Sequence, residues 1–316
     1  MKIGYKTIYP IIILLIIIGN PAYAWSNGGY STDINNPVYG THDFLLEKAI
    51  NMLPSEMRSR INTVAASYGS EIPDCNGNPY CIGDVASHHV YYYTNRSVQA
   101  DSGAVRAREE YNLAESYLKS GDTYNFSIHL GAMSHYISDV AVFGHTMGAV
   151  TDWGAETHHS DYETYVNNHL SSFSDVSFDG VYDNISAYNT TLNIARDTTF
   201  DEGIYTNVWM DDNYNWSNPN YVLHTKDLIN RTTNNVTDVI YKLLSLTTRL
   251  KGDVDGDSSI TASDALLYLR YAVGQNISPY QMSVSDDVTC DGNIFADDAL
   301  LVLRKAVGQN VNLECS

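Results

Sequence analysis

Two histidine–carboxylate pairs with helical spacing lie between residues 135 and 163. His135 and Asp139 are four residues apart, and His159 and Glu163 repeat this spacing. Residues four apart share one face of a helix, so each pair presents an imidazole beside a carboxylate. His145 follows His135 by ten residues and precedes His159 by fourteen. Zinc prefers such donors, and a reactive zinc site keeps one position open for water. The segment therefore indicates a zinc centre.

Apolar residues with helical spacing surround these pairs. They are clearest at residues 45–53, 114–118, 128–142 and 236–246. Residues 171–220 are rich in Tyr, Asn and Asp with weak periodicity, which predicts long loops with short helices. We expect an all-α fold, with a multi-helix domain at residues 25–250 and a small two-loop α module at residues 251–316.

The first 24 residues resemble a secretory signal peptide. Lys2 and Lys6 precede an apolar run from Ile8 to Ile18, and Ala22-Tyr23-Ala24 supplies the small-x-small cleavage pattern. Cleavage there makes Trp25 the first residue of the mature chain. The apolar run is shorter than the about 20 residues of a membrane span. We therefore expect an exported, soluble protein, with an uncleaved membrane anchor as the alternative.

The charge balance favours divalent cations as partners. The chain has 18 Lys and Arg against 37 Asp and Glu, a formal net charge of -19. Binding to a phosphate backbone needs clustered positive charge, so nucleic acid and anionic lipid surfaces are disfavoured.

Four cysteines in an exported chain predict two disulfides. Three connectivities are open, and the local pairs Cys75–Cys81 and Cys290–Cys315 are favoured.

A loop-and-helix unit occurs twice after a boundary near Lys251-Gly252. Both units end in Ala-Val-Gly-Gln-Asn, at residues 272–276 and 306–310. The first loop has the donor spacing that calcium requires, whereas position 3 of the second loop has lost its charge. One or two Ca²⁺ ions are expected, and acid-rich turns without metal are the alternative. The candidate ligands are Asp253, Asp255, Asp257, Ser259 and Asp264 in the first loop and Asp287, Thr289, Asp291, Asn293 and Asp298 in the second.

These two units resemble dockerin domains over residues 252–310. The resemblance implies binding to a cohesin module of a scaffold or cell-surface protein. A dockerin lacks the helix that precedes the loop in a full calcium-binding hand, and Lys251-Gly252 interrupts the preceding helix in the same way.

The histidine-rich segment resembles the zinc-dependent phospholipases C of bacteria, which include secreted lecithinases and alpha-toxins. Residues 135–139 are similar to the family's His-Tyr-x-x-Asp element, and residues 159–163 to its His-x-x-x-Glu element. Thr41-His42 resembles the first histidine helix, while Asp74 and His88, fourteen residues apart, resemble the early Asp and the second His. Trp25 matches the family's N-terminal tryptophan, so the cleavage pattern and the ligand pattern select the same residue. The resemblance covers residues 25–246.

The resemblance implies three zinc ions. One is held by Trp25 and His42, a second by Asp74, His88 and His135 with Asp139 bridging the two, and a third by His145, His159 and Glu163. The catalytic candidates are Asp74, as a base toward water, and Asp139. His89 and His158 are the alternative ligands if the register is one residue off. His129, His169 and His224 have no assigned role.

The activity that the resemblance implies is phosphodiester hydrolysis, most like a phospholipase C acting on phospholipids through a zinc-activated water. Choline-preferring members have aromatic side chains where this chain has Cys75 and Val85, so a cation–π contribution is missing there. Tyr91, Tyr92, Tyr93 and Trp153 are other candidate aromatics, and the head group is left open.

Two alternatives remain. A single-strand nuclease of the related three-zinc family is disfavoured by the negative charge and by Glu163, where those nucleases have Asp after a longer gap. A non-catalytic zinc- and calcium-binding surface protein is disfavoured because a structural zinc normally has four protein ligands.

Overall fold

The computed structural model describes residues 33, 35–75, 81–248, 250–255, 259–278, 280, 282 and 286–313. The predicted signal peptide and Trp25 lie outside these residues. Helices dominate the described chain, which confirms the all-α prediction. The α-helices are α1 (Thr41–Met52), α2 (Ser55–Arg58), α3 (Thr63–Glu71), α4 (Ser102–Ser120), α5 (Thr123–Asp139), α6 (His159–Asn168), α7 (Ala187–Phe200), α8 (Asn207–Asp212), α9 (Pro219–Thr248), α10 (Ala262–Ala272) and α11 (Ala296–Ala306).

Short elements connect these helices. The 3₁₀ helices are η1 (Val85–Ser87), η2 (Phe143–Thr146), η3 (Leu170–Phe173) and η4 (Asp201–Gly203). Strands β1 (Tyr91–Tyr92) and β2 (Val98–Ala100) form a small antiparallel hairpin. Within the described residues, no helix combines the length and apolar character needed to cross a bilayer.

Helix α5 occupies the centre of the larger core. From Phe126 to Asp139, every residue except His129 is buried, as expected of a helix that packs on all sides. It packs against α3 and α4, and α1 packs against α9. The helix ends at Asp139, short of the apolar stretch that continues to Val142. This position leaves His135 and Asp139 in the last turns of a rigid, buried helix.

Two glycines allow α3 and α5 to approach closely. A Cβ atom on Gly131 would lie 2.0 Å from the carbonyl oxygen of Ala66. A Cβ atom on Gly69 would lie 2.1 Å from the carbonyl oxygen of Ile128. Any larger residue at either position would force the helices apart, because backbone atoms cannot yield as a flexible side chain can. The close approach brings α5 within hydrogen-bonding reach of the end of α3.

The prediction of long loops and short helices for residues 171–220 is only partly right. Helix α7 has 14 residues, and α9 begins at Pro219. The irregular stretch at residues 174–186 is held by a polar ladder on α9, in which side-chain oxygens accept backbone N–H groups of the loop. Asn230 accepts from Ser177 at 2.8 Å, Asn234 from Asp179 at 3.0 Å, and Asp238 from Asp183 at 3.1 Å. The ladder provides hydrogen-bond acceptors for backbone N–H groups of a loop whose sequence shows no periodic pattern.

Replacing Asp238 with asparagine should stabilise the protein at neutral pH. Burial, then the nearby Asp183 and Asp179, raise the pKa of Asp238 from 3.8 to about 6, although a backbone hydrogen bond opposes the shift. The folded state therefore holds this proton more tightly, and stability falls as pH rises from 3.8 to about 6. After allowance for solvent screening, the ionised Asp238 carboxylate lowers the free energy of unfolding by about 1 kcal/mol at neutral pH.

Urea unfolding of D238N should thus show a gain of about 1 kcal/mol at pH 7.5 that shrinks towards pH 4. Asn keeps the acceptor for the Asp183 N–H, so the ladder is preserved. Asp212→Asn, a change of an exposed carboxylate outside the ladder, is the control. An equal gain at both pH values would contradict the assignment to Asp238.

Apolar side chains between Val254 and Leu313 form a separate hydrophobic cluster. Its buried members include Val254, Tyr268 and Val302, and α10 packs against α11. The residues of the larger cluster run from Phe44 to Leu244, and none of them appears in this smaller one. Lys251 and Gly252 lie outside helices, with Gly252 at φ 101°, consistent with the predicted interruption after α9.

Candidate metal centre

The first group of candidate ligands joins α1 to α5. His42 is the second residue of α1, which begins at Thr41 as predicted. Its Nε2 lies 3.1 Å from Oδ1 of Asp139, and Oδ2 of Asp139 lies 3.0 Å from Nε2 of His135. The imidazole rings of His42 and His135 stack with centroids 3.9 Å apart. All three side chains are buried, and one donor atom from each lies within 4.8 Å of the others.

A second group shares His135 with the first. Asp74 lies in the turn after α3, and His88 follows η1 directly. Nδ1 of His88 is 3.3 Å from Oδ1 of Asp74, 3.3 Å from Nε2 of His135 and 2.8 Å from Oδ2 of Asp139. Asp139 therefore lies between the two groups, where the predicted bridging ligand would be.

The third group lies between η2 and α6. Glu163 Oε1 is 2.8 Å from Nε2 of His159 and 3.5 Å from Nε2 of His145. Gly144 makes room for this arrangement, because a Cβ atom there would lie 2.2 Å from Cγ of the His159 ring. The ring centroids of His145 and His88 are 6.4 Å apart, so the third group lies next to the second.

The nitrogen and oxygen atoms of these groups converge, but several of them form no hydrogen bond with one another. Such an arrangement is suited to binding divalent cations. Several of them are buried and form no hydrogen bond of acceptable geometry, although their neighbours are only about 3 Å away. Such atoms direct lone pairs into shared space, as metal ligands do, and the N/O donor set suits zinc. The atoms are Nε2 of His42, both carboxylate oxygens of Asp139, and both ring nitrogens of His145.

Most of the imidazoles contact an oxygen through the ring nitrogen that faces away from the shared space. Nδ1 of His135 donates to the carbonyl oxygen of Ser70 at 2.7 Å. Nδ1 of His42 lies 2.9 Å from the Ser138 hydroxyl, which itself donates to the carbonyl of Ser134 at 2.9 Å and so accepts from His42. Nδ1 of His159 lies 3.6 Å from Oε1 of Glu156. These contacts favour tautomers whose other nitrogen is free to bind metal.

Burial and mutual contact shift the pKa values in this centre. Burial lowers the pKa of His42 to about 4, so its ring is neutral at physiological pH. Burial raises the pKa of Asp139, but contacts with His135, His145 and His42 more than reverse this and hold it well below the ordinary value. Glu163 is different, since burial outweighs the lowering by His159 and raises its pKa to about 7. Metal binding would replace protons held here, because ligands bind in their deprotonated form.

Asp211 of α8 fastens the start of α6 and hence His159. Its Oδ2 accepts the backbone N–H of Thr157 at 2.8 Å, and its Oδ1 accepts that of His158 at 2.8 Å. Nδ1 of His158 lies 3.2 Å from the same carboxylate, and Tyr214 stacks on the His158 ring. His158 is therefore engaged away from the third group, whereas His159 faces Glu163.

Removing this carboxylate should destabilise the protein strongly. Asp211→Ala leaves two backbone N–H groups next to α6 without their acceptor, which costs about 2 to 3 kcal/mol. The free energy of unfolding of metal-free protein in urea measures the loss. Asp212→Ala, an exposed neighbour in the same helix, should change it little. Equal effects of the two substitutions would show that the Asp211 contacts contribute nothing specific.

The structure does not bring every predicted residue into the centre. Trp25 lies outside the described residues. His129 contacts Glu110 at 2.7 Å, His169 stacks on Tyr165, and His224 lies near Tyr205. His89 lies beside His145, with ring centroids 4.9 Å apart, but is not in any candidate ligand group of the described residues.

Several of the residues considered for head-group recognition have structural contacts instead. Cys75 forms a disulfide with Cys81, as predicted. Cys290 is also disulfide-bonded, and Cys315, its predicted partner, lies outside the described residues. Val85 is partly exposed, while Trp153 donates to the carbonyl oxygen of Tyr92 at 2.7 Å and packs on Phe200. Tyr92 and Trp153 thus have packing roles.

Sequence reasoning did not find the residues that surround the ligands. Asp84, four residues before His88, and Glu156, three before His159, both face a ring nitrogen of those histidines. Their helical spacing is a signal that could have identified them. The contact of Asp211 with the start of α6 has no such signal, because 53 residues separate it from His158.

In the first C-terminal loop, carboxylate oxygens of Asp253, Asp255 and Asp264 lie within 4.8 Å of one another. Asp257 lies outside the described residues. Asp264 Oδ1 accepts the backbone N–H of Val254 at 2.7 Å, which closes the loop.

In the second loop, Asp298 Oδ1 accepts the corresponding N–H of Val288 at 2.9 Å. Asp287 accepts the N–H groups of Cys290 and Gly292, at 2.6 and 2.7 Å. Equivalent aspartate-to-backbone hydrogen bonds therefore close both loops. Among the described residues, three clustered carboxylates are found in the first loop.

The chain was compared with family models, curated proteins and solved structures. Residues 251–305 match the model of the dockerin type I domain. Among solved structures, the chain is similar to an alpha-toxin from Clostridium absonum, with 18% identity, 72% of this chain and 68% of that chain covered, and a TM-score of 0.49. It is also similar to the alpha-toxin of an avian strain of Clostridium perfringens, with 18% identity, 70% and 66% coverage, and a TM-score of 0.48. No curated protein matches the sequence.

The model of the family described as zinc dependent phospholipase C matches residues 41–212, more than half of the chain. Eight of the nine candidate zinc ligands are at or beyond residue 41, and all eight fall within the match. This chain therefore belongs to the zinc-dependent phospholipase C family and is a zinc-dependent phosphodiesterase.

Proposed function

We propose that the protein is a secreted phospholipase C that hydrolyses phospholipids with three zinc ions. The observation that supports this best is the convergence of three groups of buried donors around the C-terminal end of α5. Two groups share His135, and Asp139 lies between them, an arrangement suited to closely spaced cations. Closely spaced metals stabilise both the attacking and the leaving oxygen of an in-line phosphoryl displacement.

The proposed zinc ligands are those that the sequence predicts. Asp139 would bridge the first two ions, and His145 would belong to the third. Trp25 is retained on the sequence pattern alone. The full set is Trp25, His42, Asp74, His88, His135, Asp139, His145, His159 and Glu163.

The side chains of the centre have separate tasks in the proposed reaction. Zinc held by these residues would supply an acidified water and positive charge to neutralise the phosphoryl group. Asp74, whose Oδ1 lies 3.3 Å from Nδ1 of His88, would accept a proton from the attacking water. His42 and His135 keep their rings oriented through Ser138 and Ser70. No nucleophilic side chain takes part, so no covalent enzyme intermediate forms.

A substrate panel tests the activity. Mature, zinc-loaded protein is assayed on vesicles of phosphatidylcholine, on vesicles of phosphatidylethanolamine, on single-stranded DNA and on a chromogenic phosphodiester. We expect release of a phosphorylated head group and diacylglycerol from at least one lipid. Exposed Asp161→Asn should behave as wild type. Cleavage of DNA alone would favour the nuclease, and zinc uptake without any turnover would favour a non-catalytic protein.

The proposed organisation has a signal peptide at residues 1–24, the catalytic domain at 25–250 and a dockerin-like module at 251–316. The separate hydrophobic clusters and the two family matches support this division. The module would bind one or two Ca²⁺ ions and attach the enzyme to a cohesin-bearing scaffold or cell surface. An extracellular location follows from the proposed export.

Calcium titration of the full, zinc-loaded chain tests the module. Calorimetry should detect Ca²⁺ binding in wild type, weaker binding in Asp255→Asn and unchanged binding in Asp297→Asn, an exposed control. Amide exchange in α10 and α11 should slow when Ca²⁺ is added. The absence of any Ca²⁺ binding would refute the calcium assignment and leave the zinc centre untouched.

A further inference from the structure

His88 faces carboxylates through both of its ring nitrogens. Nδ1 lies 2.8 Å from Asp139 and 3.3 Å from Asp74, on the side of the proposed zinc ions. Nε2 points the other way and lies 3.5 Å from Oδ1 of Asp84. Asp84 is not one of the nine proposed zinc ligands, so its contact with a ligand histidine requires another explanation.

The Asp84 carboxylate is fixed in place from two directions. The hydroxyl of Tyr136 donates to its Oδ1 at 2.6 Å, and Nε of Arg106 donates to its Oδ2 at 2.7 Å. Its own backbone carbonyl closes η1 by accepting the N–H of Ser87. With both oxygens engaged, the carboxylate cannot rotate away from His88 without losing a charge-assisted hydrogen bond.

Arg106 is itself held by a set of contacts between α4 and α5, here called the bracket, which consists of Arg106, Glu110, His129 and Tyr136. Its guanidinium donates to Oε1 of Glu110 at 2.7 Å and lies over the Tyr136 ring, 5.1 Å from the centroid. Glu110 is almost fully buried and contacts His129 of α5 at 2.7 Å. Arg106 also contacts the half-exposed Glu109. The bracket therefore connects the turn that contains Asp84 to the two helices beside the centre.

We propose that Asp84 is a positioning residue: held by Arg106 and Tyr136, it orients His88 so that Nδ1 faces the zinc shared with Asp74 and His135. This inference rests on the proposed ligand role of His88. A carboxylate behind a metal-binding imidazole accepts a hydrogen bond from the outer ring N–H, which selects the tautomer and fixes the ring plane. Without it, the ring can adopt the other tautomer or rotate.

The test compares Asp84→Asn and Asp84→Ala with Glu109→Gln in the full mature chain. Asn has the same shape as Asp, but its NH₂ group would face the donor of Arg106 or Tyr136. Glu109→Gln removes a contact of the same Arg106 and leaves Asp84 in place. Zinc content and dissociation constants are measured by competition with chelators of graded affinity. Both Asp84 variants should bind one zinc about 10- to 100-fold more weakly, whereas Glu109→Gln should match wild type.

A second measurement distinguishes orientation from general destabilisation. Long-range ¹⁵N–¹H spectra of protein labelled at histidine and loaded with excess zinc should show His88 protonated at Nε2 alone in wild type, and a mixture of rings protonated at Nε2 and at Nδ1 in Asp84→Asn. A variant that is only less stable, but folded at the temperature of the measurement, would keep the wild-type tautomer. If wild type takes up no zinc, the proposed function itself fails. If wild type takes up zinc and both Asp84 variants keep its affinity and the His88 tautomer, only the role of Asp84 is overturned.

Discussion

Replacing Asp139 with asparagine is expected to lower kcat on a chromogenic phosphodiester by about 10³-fold, comparable to losing one essential electrostatic contact in other active sites. Asp139 is fully buried, and its two oxygens contact His42, His88 and His135 at 2.8 to 3.1 Å. Asparagine removes the negative charge and leaves only one acceptor oxygen, so it cannot bridge two cations. Zinc content should fall together with kcat.

The control for this prediction is Asp161→Asn, an exposed carboxylate in α6 that contacts none of the groups. Its kcat and zinc content should equal those of wild type. Circular dichroism should show helical content retained in both variants, because α5 is packed in the core from Phe126 to Asp139. Full turnover by Asp139→Asn would defeat the bridging role.

Stripping zinc from the wild-type protein is expected to abolish hydrolysis entirely. 1,10-Phenanthroline, which prefers transition metals to calcium, should remove the ions. Zn²⁺ should then restore turnover, and Ca²⁺ should not, because imidazole donors suit zinc and hard oxygen donors suit calcium.

Removal should also lower stability. Each site contributes about 4 kcal/mol when free zinc exceeds its dissociation constant about 1,000-fold. Thermal unfolding with and without zinc measures this loss, and Asp139→Asn should show a smaller difference between the two conditions. Turnover that persists after metal analysis finds no zinc would contradict the proposed mechanism.

Much of the centre was predictable from short-range spacing. His135 with Asp139, and His159 with Glu163, are each four residues apart, and the structure brings both pairs together at 3.0 and 2.8 Å. The choice of His159 over His158 agrees with the geometry, since His158 contacts Asp211 instead. Their function as zinc ligands stays a prediction, as does that of Trp25.

Other features of the fold and of the site could not be predicted from residue spacing. Residues 187–200 form a full helix although their apolar pattern is weak, because α7 packs against α4 and α9 in a core that sequence alone does not display. The loop at residues 174–186 shows no hydrophobic periodicity, and its position could not be predicted because polar side chains of α9, distant in sequence, hold its backbone. Asp84 and Glu156 were missed because they face histidines without belonging to a recognised ligand pattern.

The sequence by itself determined which donors stand on common helical faces, where α1 begins, and that two similar calcium-type loops end the chain. Backbone geometry places residues four apart on one side of a helix whatever surrounds it. Only the tertiary structure decided that Ser138 orients His42, that Ser70 orients His135, and that Asp211 holds the start of α6. Those contacts join distant segments, and they depend on how closely helices pack, which at α3 and α5 is set by Gly69 and Gly131.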